Sequence, residues 1–514
     1  MTLQTPSRDA SSLPCGVHSA RSNERIETRS CRYARSMSAQ RDEMPPEAGK
    51  LPTGRLARTA RVGGLVTGQG LRWAGMRTVN RVRTPERAAA AQSERTAGLV
   101  EQLVEQLGQM RGAAMKVGQM VSMVEFDGLP DEEARELQRR LAALRDDVPP
   151  VPFGQLERMM RREFGGPLGR VFSDFDERAF AAASIGQVHR ARTTGGDDVV
   201  VKVQYPGVAE AVETDLRNAM LLLPLISRLA PGLDAKALAS ELRERISEEL
   251  DYELEAQNQR RIERLMRGHP FLDVPQVHTD LSTRRVLVSD YIDGERFEHV
   301  REGDEAQRDR YGEIVFRFYF GLLYRDRIAL GDPHPGNYLL RPDGRVGFLD
   351  FGLLRDVDPD RLAAERAIAF AVRERDAAAL KSALVAGAYL PADRADAVDA
   401  DWALRMMRAL IKWYAVPGER RFSPQGARHG RDRERPDSEQ RAEARTQVNQ
   451  FTLPPESILI RRMHRIVAVV LTQLRAGADW AEIAAEYLHG APPATELGHV
   501  EADFFARRGR GPQA

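Results

Sequence analysis

The segment that most constrains this chain is residues 330–352, LGDPHPGNYLLRPDGRVGFLDFG. Asp332 comes first, Asn337 follows five residues later, and Asp350 opens an Asp-Phe-Gly sequence. Two carboxylates and an amide supply the oxygen ligands that a hard cation such as Mg²⁺ prefers. A fold that brings these three side chains together would therefore hold a divalent cation.

The same segment predicts a β-hairpin. Two short apolar runs, Tyr338–Leu340 and residues 346–349, flank the turn sequence Pro-Asp-Gly. A hairpin fixes the distance between Asn337 and Asp350. This order is typical of kinase-type phosphoryl transfer, in which one aspartate positions the acceptor while the asparagine and second aspartate hold Mg²⁺. The alternative is a plain turn followed by a strand end. Asp-Phe-Gly alone is a weak signal, but the ordered set is a much stronger one.

Composition excludes several classes of protein. The 514 residues, 42% hydrophobic and 29% charged, suit a globular protein of two or three domains. A net charge of +1 gives no argument for nucleic-acid binding. Both cysteines, Cys15 and Cys31, lie in the N-terminal tail, so the folded part can have no disulfide, and a cytoplasmic location is expected.

The apolar runs predict no transmembrane segment and no signal peptide. The longest, residues 219–226 and 466–471, are far shorter than the roughly 20 residues that span a bilayer. A short basic amphipathic helix within residues 50–92 leaves two alternatives open. It can pack on the core, which is favoured, or make peripheral contact with a membrane surface.

Lysine is rare in this chain. Six of the 76 basic residues are lysine, and Lys116 and Lys202 fall inside motifs. Lys116 and Gln119 share one face of a helix predicted over residues 94–124. Taken alone, this spacing favours the ordinary alternative, an exposed lysine on an amphipathic helix. Lys202 lies in the valine-rich strand 199–204, where burial of an unpaired charge is costly, so a functional role is favoured over a structural one.

Short strands around Lys202 predict the N-lobe of a kinase-type fold. An alanine-rich loop stands where such a lobe carries its phosphate-covering loop; its candidate ATP-binding residues are Ala181, Ala182, Ala183, Ser184 and Gly186. A charged helical region, residues 209–267, offers carboxylates at Glu249, Asp251 and Glu255, one of which should pair with Lys202. The usual alternative is a solvated acidic helix face. A hinge is expected at residues 292–294.

These patterns divide the chain into five parts. We expect a disordered tail at 1–48, a helical extension at 49–150, an N-lobe at 151–294 and a C-lobe at 295–490. Within the C-lobe, residues 419–445 read as a flexible insert, and residues 491–514 as a loosely ordered tail.

The motifs together resemble the UbiB family of atypical protein-kinase-like proteins (AarF-type), over roughly residues 50–490. Five motifs carry the resemblance: KVGQ at 116–119, AAASIGQVH at 181–189, the strand lysine at 202, ELD at 249–251 with Glu255 and Asn258 after it, and DPHPGN with DFG at 332–337 and 350–352.

The resemblance implies an α+β, two-lobed kinase-like fold with a helical N-terminal extension, whose KxGQ helix covers the site. It implies that Lys116 meets Glu249 or Asp251, and that Glu255 pairs with Lys202. It also implies binding of ATP and Mg²⁺, and a link to quinone or isoprenoid-lipid metabolism, with ATPase activity better supported than protein kinase activity.

Three departures from the family pattern stand out. Leu330-Gly331 replaces a common His-Ala, Asp290 replaces a common Glu, and the C-terminal transmembrane pair of many members is missing. Neither replacement removes a catalytic group. Two functions stay open: a Mg-ATP-dependent phosphotransferase or ATPase, in which Asp332 orients the acceptor, and a nucleotide-gated protein that binds a lipid or a partner with little turnover.

Overall fold

A computed structural model of the chain describes residues 151–183, 185–214, 217, 248, 250–331, 333–423 and 446–509. Of these, all but Val151 and Pro152 belong to one structural unit. Several predictions lie outside the described residues. They are the tail and helical extension with Lys116 and Gln119, positions 215–216 and 218–247 of the charged helical region, the single residues Ser184, Glu249 and Asp332, positions 424–445 of the insert, and positions 510–514 of the C-terminal tail.

The N-lobe is built on an antiparallel sheet with strand order β1-β3-β4-β6, in which β2 also pairs with β3. Its strands are β1 (Phe172–Phe175), β2 (Ala181–Ala183), β3 (Gly186–Thr193), β4 (Asp198–Gln204) and β6 (Val286–Asp290). The predicted strands are all present. Strand β3 extends to Thr193 because residues 186–192 pair with β4 and Thr193 pairs with Phe172 of β1.

Alternation along β4 gives this sheet one buried face. Val199, Val201 and Val203 are fully buried, and they pack with Leu156 and Met160 of helix α1 (Phe153–Glu163). Because successive strand residues point to opposite faces, Val200 and Lys202 lie on the other face. That face is half-exposed and borders helix α2 (Tyr252–Met266).

The predicted hairpin is present. Strands β9 (Tyr338–Leu340) and β10 (Val346–Phe348) pair antiparallel, with Tyr338 opposite Phe348. They form a four-stranded sheet with β5 (Leu272–Asp273) and β7 (Glu295–Arg296), in the order β5-β10-β9-β7. Phe348 stacks on Phe318 of the C-lobe with ring centroids 3.7 Å apart, so the hairpin is anchored in the core.

The C-lobe is mainly helical. Its helices are α3 (Phe297–Glu302), α4 (Glu305–Tyr324), α5 (Pro359–Glu374), α6 (Ala377–Ala386), α7 (Ala400–Ala415), α8 (Pro455–Leu474), α9 (Trp480–Leu488) and α10 (Glu496–Arg507). Strands β8 (Ile328–Leu330) and β11 (Leu354–Asp356) pair antiparallel at its edge. No helix among the described residues combines the length and hydropathy needed to cross a bilayer.

Two parts of the C-terminal region differ from expectation. Residues 491–514 were expected to be loosely ordered, but α10 buries Leu497, Phe504 and Phe505 against the C-lobe. The start of the expected insert is also held in place: β12 (Arg420–Arg421) pairs with β13 (Gly477–Ala478). In both places long-range packing supplies the order, which local composition does not reveal.

A side-chain cap sets the start of α7. This helix begins at Ala400, because Asp399 caps it by accepting the Trp402 N–H. The preceding residues, Ala392–Ala397, form a 3₁₀ helix.

Candidate active site

The centre of the site is an ion pair within the N-lobe, between strand β4 and helix α2. Lys202 Nζ donates to both carboxylate oxygens of Glu255, at 2.6 and 2.8 Å. The Lys202 side chain is 22% exposed and that of Glu255 is 6% exposed. The ammonium also lies 4.9 Å from the centroid of the Tyr252 ring. The carboxylate that the resemblance assigned to Lys202 is therefore the one in contact with it.

The pair keeps the Lys202 side chain charged. Burial by itself would lower the pKa of the ammonium, but the negative charges of Glu255 and Asp350 raise that pKa above its usual range. A permanent positive charge held at one place suits an anionic ligand such as a phosphate.

Backbone contacts bring helix α2 to the sheet. The buried Gln204 side chain, at the end of β4, donates to the Leu250 carbonyl at 2.9 Å. Tyr252 donates its N–H to the Arg284 carbonyl at 3.0 Å. Asp251 caps the helix by accepting the N–H groups of Glu253 and Leu254. Because capping occupies one Asp251 oxygen, this residue has a structural role in addition to the regulatory one that the resemblance implied.

The Asp-Phe-Gly segment borders the ion pair. Asp350 Oδ1 accepts the Gly352 N–H at 3.0 Å, which holds the carboxylate against its own turn. A Cβ atom built on Gly352 would lie 3.4 Å from Asp350 Oδ1 and 3.9 Å from Glu255 Oε2. The metal-ligand candidate and the Lys202–Glu255 pair thus share one small region.

Asn337 lies beside Asp350 because of the hairpin register. The Asn337 carbonyl accepts the Leu349 N–H at 3.0 Å, one position beyond the Tyr338–Phe348 pair. The Asn337 N–H donates to the His334 carbonyl at 3.0 Å, and His334 Nδ1 accepts the Gly336 N–H at 3.1 Å. These bonds define the loop around Asn337. The third candidate, Asp332, lies outside the described residues.

The alanine-rich loop is a β2–β3 hairpin. Ala181 pairs with Val188, Ala182 with Gln187 and Ala183 with Gly186. A Cβ built on Gly186 would lie 2.8 Å from the Tyr252 hydroxyl oxygen and would overlap the Val203 carbonyl. Close packing against β4 and α2 therefore requires a glycine at this position.

Sequence reasoning missed the apolar wall of the site. This wall consists of Val188 and Val200. Val188 pairs with Lys202, and Val200 pairs with Arg190 and Ser289, so both valines lie on the same half-exposed face of the sheet as Lys202. The signal was available, because Val200 must face the same way as Lys202 two residues later. It was overlooked because valines in a strand are usually assigned to the core.

The residues fit a magnesium ion that keeps waters and substrate phosphates as further ligands. Mg²⁺ is commonly held by one or two protein oxygens together with phosphate groups. Asp350 and Asn337 supply such oxygens from one end of the hairpin. Within the described ranges no group of three or more His, Cys, Asp or Glu residues could hold a metal ion.

Known proteins resemble this chain in sequence. The profile of the ABC1 atypical kinase-like domain matches residues 143–384. The atypical kinase COQ8B, mitochondrial, of Danio rerio is 30% identical over 311 residues, covering 60% of this chain and 49% of that protein. The atypical kinase COQ8, mitochondrial, of Saccharomyces cerevisiae is 30% identical over 319 residues, covering 61% and 62%. The chain thus spans about half to three fifths of these relatives.

A solved structure resembles the fold as well. It is the complex of Rv3197 with erythromycin from Mycobacterium tuberculosis, with a TM-score of 0.56 and 29% identity, and the match covers 79% of this chain and 98% of that one. The α+β kinase-like fold is thereby confirmed. With the domain match and the named relatives, these findings lead to one conclusion: the chain belongs to the UbiB-type family of atypical kinase-like proteins.

Proposed function

We propose that the chain binds ATP with Mg²⁺ and acts as an atypical kinase-like ATPase or phosphotransferase. The observation that carries the proposal is the Lys202–Glu255 pair and its position beside the Asp-Phe-Gly segment. Burying an ion pair costs desolvation free energy, so such a pair is weak evidence for a purely stabilising role. A cation fixed at this place suits the binding of an anionic ligand.

The residues around the pair suit the parts of ATP. Lys202 would bind phosphate oxygens, with Glu255 holding the ammonium in place. Val188 and Val200 offer an apolar surface to the adenine ring. The β2–β3 hairpin would cover the phosphates, through Ala181, Ala182, Ala183, Ser184 and Gly186.

Asn337 and Asp350 would hold the magnesium ion, which when bound offsets the negative charge of the phosphates. Asp332 would orient the acceptor hydroxyl or a water molecule and accept its proton. Catalysis of this kind depends on positioning and on charge stabilisation, so small shifts of these groups should have large effects.

The wider role rests on the resemblance. We propose that ATP turnover supports quinone or isoprenoid-lipid metabolism, with the chain located in the cytoplasm and in peripheral contact with a membrane. The relatives named as mitochondrial atypical kinases support this placement in metabolism. In the regulatory part of the proposal, Lys116 and Gln119 meet Glu249 or Asp251.

Thermal unfolding with and without Mg-ATP tests the proposal, for the wild type and for Asp350→Asn. A ligand at about 100 times its Kd stabilises a protein by about 2.7 kcal/mol, which corresponds to several degrees. We expect the wild type to be stabilised and Asp350→Asn to respond much less. Lys381→Met is a matched control, because Lys381 donates to the Val398 carbonyl in the C-lobe, at 3.0 Å.

An absence of any shift at millimolar nucleotide would contradict the proposal. Where binding is found, ATP hydrolysis by the wild type and its loss in Asp332→Asn would support turnover. Binding without turnover, together with nucleotide-dependent association with liposomes, would instead favour the nucleotide-gated binding protein.

A further inference from the structure

Helix α2 contacts the metal-binding segment as well as Lys202. Asn258 Nδ2 donates to the backbone carbonyl of Phe351 at 3.0 Å. Arg261 forms an ion pair with Asp356, the last residue of strand β11, which follows the Asp-Phe-Gly segment. Because residues three apart lie on neighbouring positions of one helix face, Glu255, Asn258 and Arg261 form a row along the helix.

The Phe351 carbonyl is a sensitive point in this segment. It belongs to the residue between Asp350 and Gly352, and the Phe351 side chain is 1% exposed in the C-lobe core. The peptide groups on either side of Phe351 set the direction of the Asp350 side chain. A donor that holds this carbonyl therefore holds the carboxylate that is proposed to bind Mg²⁺.

We propose that Asn258 is a positioning residue that couples the metal segment to the Lys202–Glu255 pair. The inference rests on the proposed function, since it concerns the same Mg-nucleotide site. Asn258 and Glu255 are on one rigid helix, so an arrangement that aligns Glu255 with Lys202 also aligns the Phe351 carbonyl and Asp350. Magnesium and nucleotide then favour the same placement of α2, and each strengthens the binding of the other.

The chemistry of the side chain is specific to this task. An amide N–H donates to a carbonyl, whereas an ionised aspartate of the same shape only accepts and would face the carbonyl oxygen with a negative charge. Asn258 is half-buried, so replacement by aspartate or alanine leaves the hydrophobic face of the helix intact.

The test measures the Kd of a fluorescent ATP analogue with excess Mg²⁺ and with EDTA, using the whole chain. The ratio of the two values reports the coupling. At pH 8 we expect Asn258→Asp and Asn258→Ala to reduce this ratio by about tenfold, the usual effect of one lost hydrogen bond that orients a ligand, while the Kd in EDTA changes little. Arg260→Ala is the control, because Arg260 lies on the same helix but donates to Thr279, at 2.6 Å.

A double variant separates positioning from simple stabilisation. In the Asp350→Asn background, Asn258→Asp should have no further effect on the ratio.

Two results would overturn the inference while leaving the proposed function standing: an unchanged ratio in both Asn258 variants, or an equal loss of affinity with and without Mg²⁺. If the wild type itself binds nucleotide equally well with and without Mg²⁺, the proposed function fails and this inference fails with it.

Discussion

The space that a side chain on Gly331 would need is filled by Leu353. A Cβ atom built on Gly331 would lie 2.5 Å from Leu353 Cγ and 2.8 Å from Leu459 Cδ1. Gly331 also donates its N–H to the Leu353 carbonyl at 2.9 Å. Leu353 directly follows Asp-Phe-Gly, and Leu459 is in α8. The glycine that replaces the common alanine of the family thus joins three parts of the C-lobe.

Replacing Gly331 by alanine should therefore force Leu353 to move. We expect the free energy of unfolding to fall by about 1–3 kcal/mol, the typical cost of overpacking. Mg-ATP should also bind more weakly, because Leu353 is next to the metal segment. Denaturant titration and nucleotide titration measure the two effects.

Gly154→Ala is the control for this change. Nothing lies within 4 Å of a Cβ at that position, which is in the first turn of α1, so we expect unchanged or slightly higher stability. A Gly331→Ala protein as stable as the wild type would show that the site relaxes without strain.

Breaking the central ion pair should affect both stability and binding. Lys202→Met leaves the Glu255 carboxylate, which is 6% exposed, without its cation. We expect the unfolding free energy to fall by about 1–3 kcal/mol. This loss is smaller than for a fully buried pair, because the Lys202 side chain is 22% exposed. Nucleotide binding should be lost.

Lys202→Arg preserves the charge but not the compact shape of the ammonium, so stability should largely return while nucleotide binding should not. Calorimetric titration with Mg-ATP, alongside denaturant unfolding, would check both statements. Full nucleotide affinity in Lys202→Met would contradict the role given to this residue.

The protein should lose stability in mild acid because two histidines are buried as neutral groups. Burial lowers the pKa of His269 and of His464 to about 3 in each case. In the unfolded chain these histidines have a pKa of about 6.5, so below that pH the unfolded chain binds more protons than the folded one. The free energy of unfolding is therefore highest above about pH 6.5 and declines as the pH falls towards 3. Between pH 7.5 and pH 5 each histidine should cost about 2 kcal/mol.

Denaturant unfolding at pH 7.5 and pH 5 measures this dependence. His464→Gln should reduce the loss of stability in acid, although it lowers stability at both pH values. His499→Gln, at an exposed position of α10, is the matched control. An equal acid loss in His464→Gln and the wild type would contradict the assignment.

The C-terminal helix should be essential for stability. Arg317 is fully buried and donates to Glu501 at 3.1 Å, and Arg325 donates to the same carboxylate at 2.8 Å. Glu501→Gln removes the negative charge between two cations, so we expect a loss of about 1–3 kcal/mol in unfolding free energy. Thermal unfolding measures it, with the exposed Glu496→Gln as the control. Rapid proteolytic removal of residues 491–509 from the native wild type would contradict the docking of α10.

The α2 helix shows where sequence reasoning reached its limit. Local patterns were sufficient for the β9–β10 hairpin and the N-lobe strands, because turn residues and apolar periodicity act over a few positions. The choice among Glu249, Asp251 and Glu255 as partner of Lys202 could not be made from spacing alone. The family resemblance indicated Glu255, and the structure shows the contact.

The sequence by itself determined the order of the chemical groups, the hairpin that joins Asn337 to Asp350, and the face of β4 on which Lys202 lies. Only the tertiary structure decided that Gly186 is needed for close packing, that Asn258 reaches the Phe351 carbonyl and that α10 is docked. The physical reason is distance along the chain. Contacts between residues far apart in the sequence, such as Asn258 and Phe351, which are 93 positions apart, depend on how whole elements pack, and no local pattern encodes that packing.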